Sequence, residues 1–98
     1  MYGLIGQMKA KSGSRDELIE ILLAGTQNMP GCIQYVISKD VDDENGIWIT
    51  EIWETKNDHE NSLQLPEVQS AIAKGREFIA GFGARHELDP VGGFGLSD

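Results

Sequence analysis

The stretch Gly46–Glu60, GIWITEIWETKNDHE, decides how the rest of the chain is read. Asn45-Gly46 is a strong turn signal, and the alternating β-branched and aromatic residues that follow it read as a strand. Successive side chains of a strand point to opposite sides. Ile47, Ile49, Glu51 and Trp53 therefore share one face, and Trp48, Thr50 and Ile52 the other. Both faces are largely apolar, so both require cover. One carboxylate, Glu51, stands among the large apolar groups of the first face. Thr55 then opens a short helical segment carrying His59, and the carboxylate with a histidine just downstream is the strongest pointer to chemistry.

Outward from this strand, the chain reads as alternating elements. Tyr2–Lys9, YGLIGQMK, is a first strand, with Tyr2, Leu4 and Met8 on one face and Ile5 on the other. Gly3 and Gly6 weaken it and mark a bulge or a close approach. Ser14-Arg15-Asp16-Glu17 fits a capping box, and Leu18, Ile21, Leu22, Gly25 and Met29 follow at helical spacing until Pro30-Gly31. Cys32–Lys39 is a second strand, with Ile33, Tyr35 and Ile37 on one face and Cys32 on the other.

Asp40–Gly46 is an acidic loop whose spacing lacks the frame of a calcium site; it reads as a solvated loop. Thr55 caps a short helix from Lys56. Pro66 suits the first turn of a further helix with an apolar stripe of Val68, Ala71, Ile72, Gly75, Phe78 and Ile79. Gly75 in that stripe points to close packing or to room for a ligand. Ala84–Leu88 reads as the last strand, with His86 on the Ala84/Leu88 face. One domain is expected over residues 1–90, followed by a glycine-rich tail, 91–98, in which Phe94 and Leu96 are possible anchors.

The order β-α-β-β-α-α-β is that of an α+β ferredoxin-like fold, a split β-α-β antiparallel sheet with helices on one face and the second helix broken in two. The bare face, holding Trp48 and Ile52, is an apolar patch of a kind that soluble monomers rarely expose. A homodimer packed sheet to sheet is therefore expected.

Composition narrows the function. Sixteen acidic against eight basic residues give a net charge of −8 over 98 residues. That balance disfavours a nucleic-acid groove, which needs clustered basic groups, and equally an anionic membrane surface. No apolar run approaches the roughly 20 residues of a membrane-spanning helix. The start, MYGLIGQMKAKSG, reads as a strand rather than a secretory leader, so a cytoplasmic location is expected. The single cysteine, Cys32, excludes an internal disulfide framework. No phosphate-binding loop, dinucleotide fingerprint or zinc spacing is present.

Glu51-x-Trp53-x5-His59, followed by Ser62-Leu63, Pro66 and Val68, resembles the antibiotic biosynthesis monooxygenase family. The MPGC turn, Met29–Cys32, and PVGGFGL, Pro90–Leu96, are similar to its small quinol-monooxygenase-type members. The resemblance implies a dimeric α/β barrel in which each subunit holds a pocket between sheet and helices. It implies oxygenation of a small aromatic substrate with O2 and without metal, flavin or haem.

Trp53 matches the pocket tryptophan of the polyketide-oxidising members, and His59 stands where they have a tyrosine. Ile49 replaces their pocket asparagine and Ile72 their helix arginine, which argues against anthrone chemistry. No histidine follows in the next helix, which argues against haem degradation. The resemblance thus leaves His59 as base, with Glu51 orienting it, Trp53 as a flat wall, and Ile49, Leu63 and Ile72 as dry lining. Alternatives stand beside this. His59 and Glu51 would serve equally well to join helix to sheet, Trp53 as plain core, and Glu51 as partner of Arg85 or Lys56. An isomerase using His59, or a ligand-binding dimer without catalysis, fits the same residues.

Overall fold

The computed structural model describes residues 1–96; the last two residues of the tail, 97 and 98, lie outside the described residues. The elements are β1 (Tyr2–Ala10), α1 (Arg15–Gly25), β2 (Cys32–Lys39), β3 (Gly46–Trp53), α2 (Lys56–Ser62), α3 (Pro66–Gly75) and β4 (Ile79–Leu88), with a 3-10 turn at Arg76–Phe78 before β4. The four strands form one antiparallel sheet in the order β2-β3-β1-β4. This is the expected α+β ferredoxin-like arrangement.

Register determines which side chains meet. Leu4 lies opposite Glu51, Gly6 opposite Ile49 and Met8 opposite Ile47. On the far side of β3, Tyr35 faces Glu51 and Ile37 faces Ile49. These residues make up the helix-covered face. Leu18 and Leu22 of α1 bury themselves against Ala10, Ile47 and Ile49, flanked by Met8, Ile19, Tyr35, Ile37, Phe78 and Ile79. Leu18 and Ile47 are fully buried, each contributing about 1.5–3 kcal/mol by leaving water. α1 and α3 approach closely because Gly25 lacks a side chain: a Cβ there would stand 2.5 Å from Ala71 Cβ. Gly75 packs against Leu18 in the same way, which settles its role as close packing.

The helices and turns depart from the expected boundaries in instructive ways. α1 stops at Gly25 rather than running to Met29, and Thr26 Oγ1 donates to Leu22 O at 2.8 Å. Ser14 occupies the N-cap but makes no side-chain cap, so the capping box does not form. At α2 the cap does form: Thr55 Oγ1 accepts from Asp58 N at 3.1 Å. Gly31, at φ 82°, turns the chain against Asp58, a position that would exclude any Cβ. This turn seats the first turn of α2 and hence His59.

β4 begins at Ile79, not Ala84, and Phe78 belongs to the 3-10 turn rather than to α3. Two register shifts, between Gly6 and Met8 and between Lys9 and Ala10, bend it along β1. A third shift between Cys32 and Gln34 sets Cys32 opposite Trp53, so Cys32 shares Trp53's face and not that of Val36.

The opposite face of the sheet has no helix on it. Ile5, Trp48, Ile52, Val36 and Leu88 lie there by register, and Val36 and Leu88 are about half exposed, at 47% and 51%. Trp48 covers part of it and donates its indole N–H to Asp40 Oδ2 at 2.9 Å. The tail crosses one end of this face: Pro90 packs over Gly3 of β1, and Gln34 of β2 donates to Gly95 O at 3.3 Å. The acidic loop is tied down by cations, with Lys9 Nζ 2.8 Å from Asp43 Oδ2 and Arg15 donating to the Asp43 carbonyl at 2.9 Å.

Candidate active site

β3 projects Glu51 and Trp53 to the helix side, two residues apart on one face. Trp53 is fully buried, and its Nε1 donates to Glu51 Oε1 at 3.0 Å. α2 brings His59 over the same strand, its Nε2 standing 3.8 Å from Glu51 Oε1. That gap is too long for a hydrogen bond but short enough for one small movement to make one. The imidazole packs edge-on to the Trp53 indole, centroids 5.5 Å apart, and against the Tyr2 ring at 5.8 Å. The Glu51 and His59 side chains retain only 15% of their exposure.

Burial drives both groups toward their neutral forms. It raises the Glu51 carboxyl above the ordinary glutamate value, offset in part by the Trp53 hydrogen bond and the Arg85 charge. It lowers the His59 imidazole below the ordinary histidine value, with Arg85 adding to the effect. Tyr35, across the register from Glu51, is likewise raised by burial and held as the phenol. Burial thus moves the two pKa values toward one another, the arrangement that favours proton exchange between neighbouring groups.

A cavity of about 250 Å³ opens next to Glu51, on the β1–β4 side. It is lined by Leu4, Gly6 and Met8 of β1, Ile49 and Glu51 of β3, and Phe82 and Arg85 of β4, whereas Trp53 and His59 are not among its lining residues. Gly6 is central to it, since a Cβ placed there would meet nothing within 4 Å. A larger hollow of about 460 Å³ lies between α1 and α3, lined by Glu17, Glu20, Glu67 and Lys74. It holds no aromatic or imidazole group, and the smaller cavity is the one that Glu51 of the Glu51–Trp53–His59 cluster lines.

The site residues expected from the sequence are thus brought together in part. Glu51, Trp53 and His59 form one cluster, and Ile49 lines the cavity. Leu63 and Ile72 do not: they are 44% and 42% exposed, outside the cavity lining. The reason for Ile72 is local, since α3 turns Val68, Ala71 and Gly75 inward and leaves Ile72 on its flank. Leu63 caps the C-terminal end of α2 instead of facing the sheet. Glu51 forms no ion pair with Lys56, which pairs with Glu87 at 3.2 Å. His86 lies opposite Ile5, on the uncovered face away from Glu51. Sequence reasoning gave no role to Tyr2 beside His59, and mentioned Arg85 only as a possible partner of Glu51. Among the described residues no cluster of three or more metal-ligating side chains occurs.

A ferredoxin-like α+β domain with a buried acid–imidazole pair, its acid lining a cavity beside the sheet, defines the class. The antibiotic biosynthesis monooxygenase family model matches residues 1–74, and the chain belongs to that family. A crystal structure described as a "putative Antibiotic biosynthesis monooxygenase from Chloroflexus aurantiacus J-10-fl" is 52% identical, with 98% of each chain covered and a TM-score of 0.94. A Caulobacter crescentus CB15 protein described in the same words has a TM-score of 0.84 at 19% identity, covering 93% of this chain and 90% of that one. Rv0793 from Mycobacterium tuberculosis has a TM-score of 0.78 at 18% identity, covering 95% and 97%. The last two likenesses speak to fold alone. No curated protein matches the chain.

Proposed function

We propose that the protein is a cofactor-independent monooxygenase that oxidises a small electron-rich aromatic, of the quinol type, with O2. The observation that carries this is the buried Glu51–Trp53–His59 cluster, whose Glu51 lines a largely apolar cavity. Triplet O2 reacts slowly with closed-shell molecules, and an aromatic anion overcomes this by giving up one electron. The site must therefore remove a proton, exclude water and hold a flat ring. Family membership and the relative from Chloroflexus aurantiacus support the reaction class.

In this reading the proton acceptor is Glu51 rather than His59, because Glu51 lines the cavity and His59 does not; the ionised Glu51 takes the proton from the substrate hydroxyl, and His59 accepts it onward. The hydroxyl O–H bond breaks and its electron pair stays on oxygen. One electron passes to O2, giving a substrate radical and superoxide. Their combination forms a carbon–oxygen bond. Loss of water across the O–O bond then leaves one oxygen atom on the product, so a naphthohydroquinone and O2 give a hydroxynaphthoquinone and water. Trp53 and Tyr2 fix the imidazole, and the Ile49 and Met8 side chains keep the cavity apolar.

Oxygen uptake with a panel of naphthohydroquinones tests the proposal. Consumption should be saturable, and His59→Ala should lower it about 10²–10⁴-fold, the range general base catalysis supplies. Binding of the quinol without oxygen uptake would leave a ligand-binding protein and overturn the enzymatic reading.

We also propose a homodimer joined through the uncovered sheet face. Ile5, Ile52, Val36 and Leu88 supply its apolar surface, and the tail adds the wholly exposed Phe94 and Val91.

A further inference from the structure

Arg85 is the one strong cation lining the cavity, and among the described residues its guanidinium makes no hydrogen bond and no ion pair. Both carboxylates near it are committed elsewhere. Glu87 Oε2 accepts from Tyr2 Oη at 2.7 Å and lies 3.2 Å from Lys56 Nζ. Glu51 Oε1 accepts from Trp53 Nε1 at 3.0 Å. A guanidinium stays charged at any physiological pH and offers a planar fork of donors that suits an oxyanion. Here the exposed Arg85 stands at the rim of a mainly apolar hollow whose other polar lining residues are Glu51 and Gln7.

Register adds the second half of the geometry. Gly6 is paired with Arg85 on one side and with Ile49 on the other. The position beside the guanidinium therefore carries no side chain, and the space above it is open to beyond 4 Å. Leu4 and Met8, two residues away in either direction on the same face, rise at the ends of this bare strip. The result is a flat-floored slot with a cation on its flank.

We infer that Gly6 and Arg85 together make the site selective for a flat aromatic ligand with an acidic hydroxyl, held as its oxyanion against the Arg85 guanidinium. The inference deepens the preceding proposal and rests on it for the choice of cavity. Ionisation breaks the hydroxyl O–H bond, leaves the electron pair on the oxygen facing Arg85, and gives the proton to Glu51. No oxidant takes part in this step.

The titratable groups that feel the Arg85 charge are Tyr2 of β1, Glu51 of β3, His59 of α2 and Glu87 of β4, and Lys56 of α2 pairs with Glu87. Lys56 and Glu87 offset one another. Burial shifts Glu51 and His59 toward their neutral forms, and once Glu51 has taken the ligand's proton the Arg85 guanidinium is the charge left lining the cavity beside the ligand oxygen. Arg85 acts here as a positioning residue for the substrate anion.

The test uses para-nitrophenol, whose anion absorbs in the visible, and para-nitroanisole, its methylated and non-ionising counterpart. Titrated with pH on the intact protein, bound para-nitrophenol should ionise at lower pH than free para-nitrophenol. The Arg85→Gln variant should abolish that displacement and weaken binding of the anion about tenfold or more, as loss of a charge-assisted contact does. Arg85→Lys should restore part of it, and para-nitroanisole should bind wild type and Arg85→Gln equally. Unchanged circular dichroism would confirm that the variants are folded.

Equal affinity of wild type and Arg85→Gln for the anion would overturn the inference, as would failure of wild type to bind either probe. The two proposals fail separately. A lowered ionisation without oxygen uptake from quinols removes the oxygenase reading and keeps this one. Oxygen uptake indifferent to Arg85→Gln does the reverse.

Discussion

Trp53 donates its indole N–H to Glu51 Oε1 at 3.0 Å, from two residues along the same strand and the same face. The contact matters because Trp53 is fully buried while Glu51 reaches the cavity. The indole both satisfies its own donor and holds the carboxyl in one rotamer. Replacing Trp53 by Phe keeps most of the ring volume and deletes the donor. The variant is expected to lose about 1–3 kcal/mol in urea unfolding, the range for stranding a buried polar partner. Glu51 should titrate higher still, and oxygen uptake should fall with it. A Trp53→Phe protein of unchanged stability and activity would reduce the indole to packing.

Glu51 itself should show a conflict between stability and function. Its folded-state pKa is raised above the unfolded value, chiefly by burial. A group shifted that way contributes stability below its unfolded pKa, and the contribution is lost as pH rises through the folded value. Once ionised, Glu51 thus carries its charge at a cost to the fold. Glu51→Gln removes the charge and keeps an oxygen for the Trp53 N–H. The urea midpoint of Glu51→Gln should exceed that of wild type at about pH 7 and match it at about pH 3. Oxygen uptake should drop about 10²–10⁴-fold. A lower midpoint at neutral pH would mean that Glu51 is stabilised as the anion.

His59 should produce the opposite pH dependence. Its folded-state pKa is lowered, first by burial and then by Arg85. The stability it contributes is complete above the unfolded value of about 6.5 and is lost as pH falls through the folded value. Wild type should therefore weaken between about pH 7 and about pH 5 relative to a His59→Asn variant, and urea midpoints at a series of pH values would show it. A His59→Asn difference that stays constant over this range would place the imidazole in a water-like setting.

How far the sequence revealed the fold and site follows from which forces act locally. The strand Gly46–Trp53 was legible because its alternation is strict and both faces are apolar. The Thr55 cap and the Pro66 helix start were legible because each is a property of a few adjacent residues. The start of β4 was not, since Phe78 and Ile79 continue the helical stripe of α3 and Gly81 and Gly83 dilute the strand pattern. Only pairing with β1 makes Ile79–Gly83 extended. The register shift between Gly6 and Met8 puts Phe82 on the same face as Arg85, an odd number of residues away, so their joint place in the cavity could not be read from alternation. Cys32 was put on the wrong face for that reason, as the shift beside it lies in the ladder with β3. Gly6 was noticed as a weak point in a strand, and its use, a gap between Ile49 and Arg85, appears only across strands.

Gly6 gives a direct test of the cavity. A Cβ at this position meets nothing within 4 Å, and the residue is not among the glycines with positive φ. Gly6→Ala should therefore leave stability unchanged or raise it by about 0.4–1 kcal/mol, by restricting the unfolded chain. Gly6→Val should fold equally well and fill the floor beside Arg85. Its affinity for para-nitrophenol should fall at least about tenfold, and oxygen uptake with it. Gly6→Val binding the phenol as wild type does would move the ligand site away from this strand.

The uncovered sheet face makes the last prediction. Thr50 lies at its centre, opposite Ile5 on one side and Val36 on the other, and is exposed. A second copy packed there would bury these residues together with Ile52 and Leu88, and would enclose Thr50 without a cationic or anionic partner near it. Thr50→Lys would then set two ammonium groups into the contact, a desolvation cost of several kcal/mol per ion. Light scattering after gel filtration should give twice the chain mass for wild type and a single chain mass for Thr50→Lys at micromolar concentration. Monomeric Thr50→Lys should keep the Glu51–His59 pair, which lies on the other side of the sheet, and so should still bind para-nitrophenol. Wild type running as a monomer would refute the sheet-to-sheet dimer and leave the face to be covered by the tail alone, through Pro90 over Gly3 and Gly95 beside Gln34.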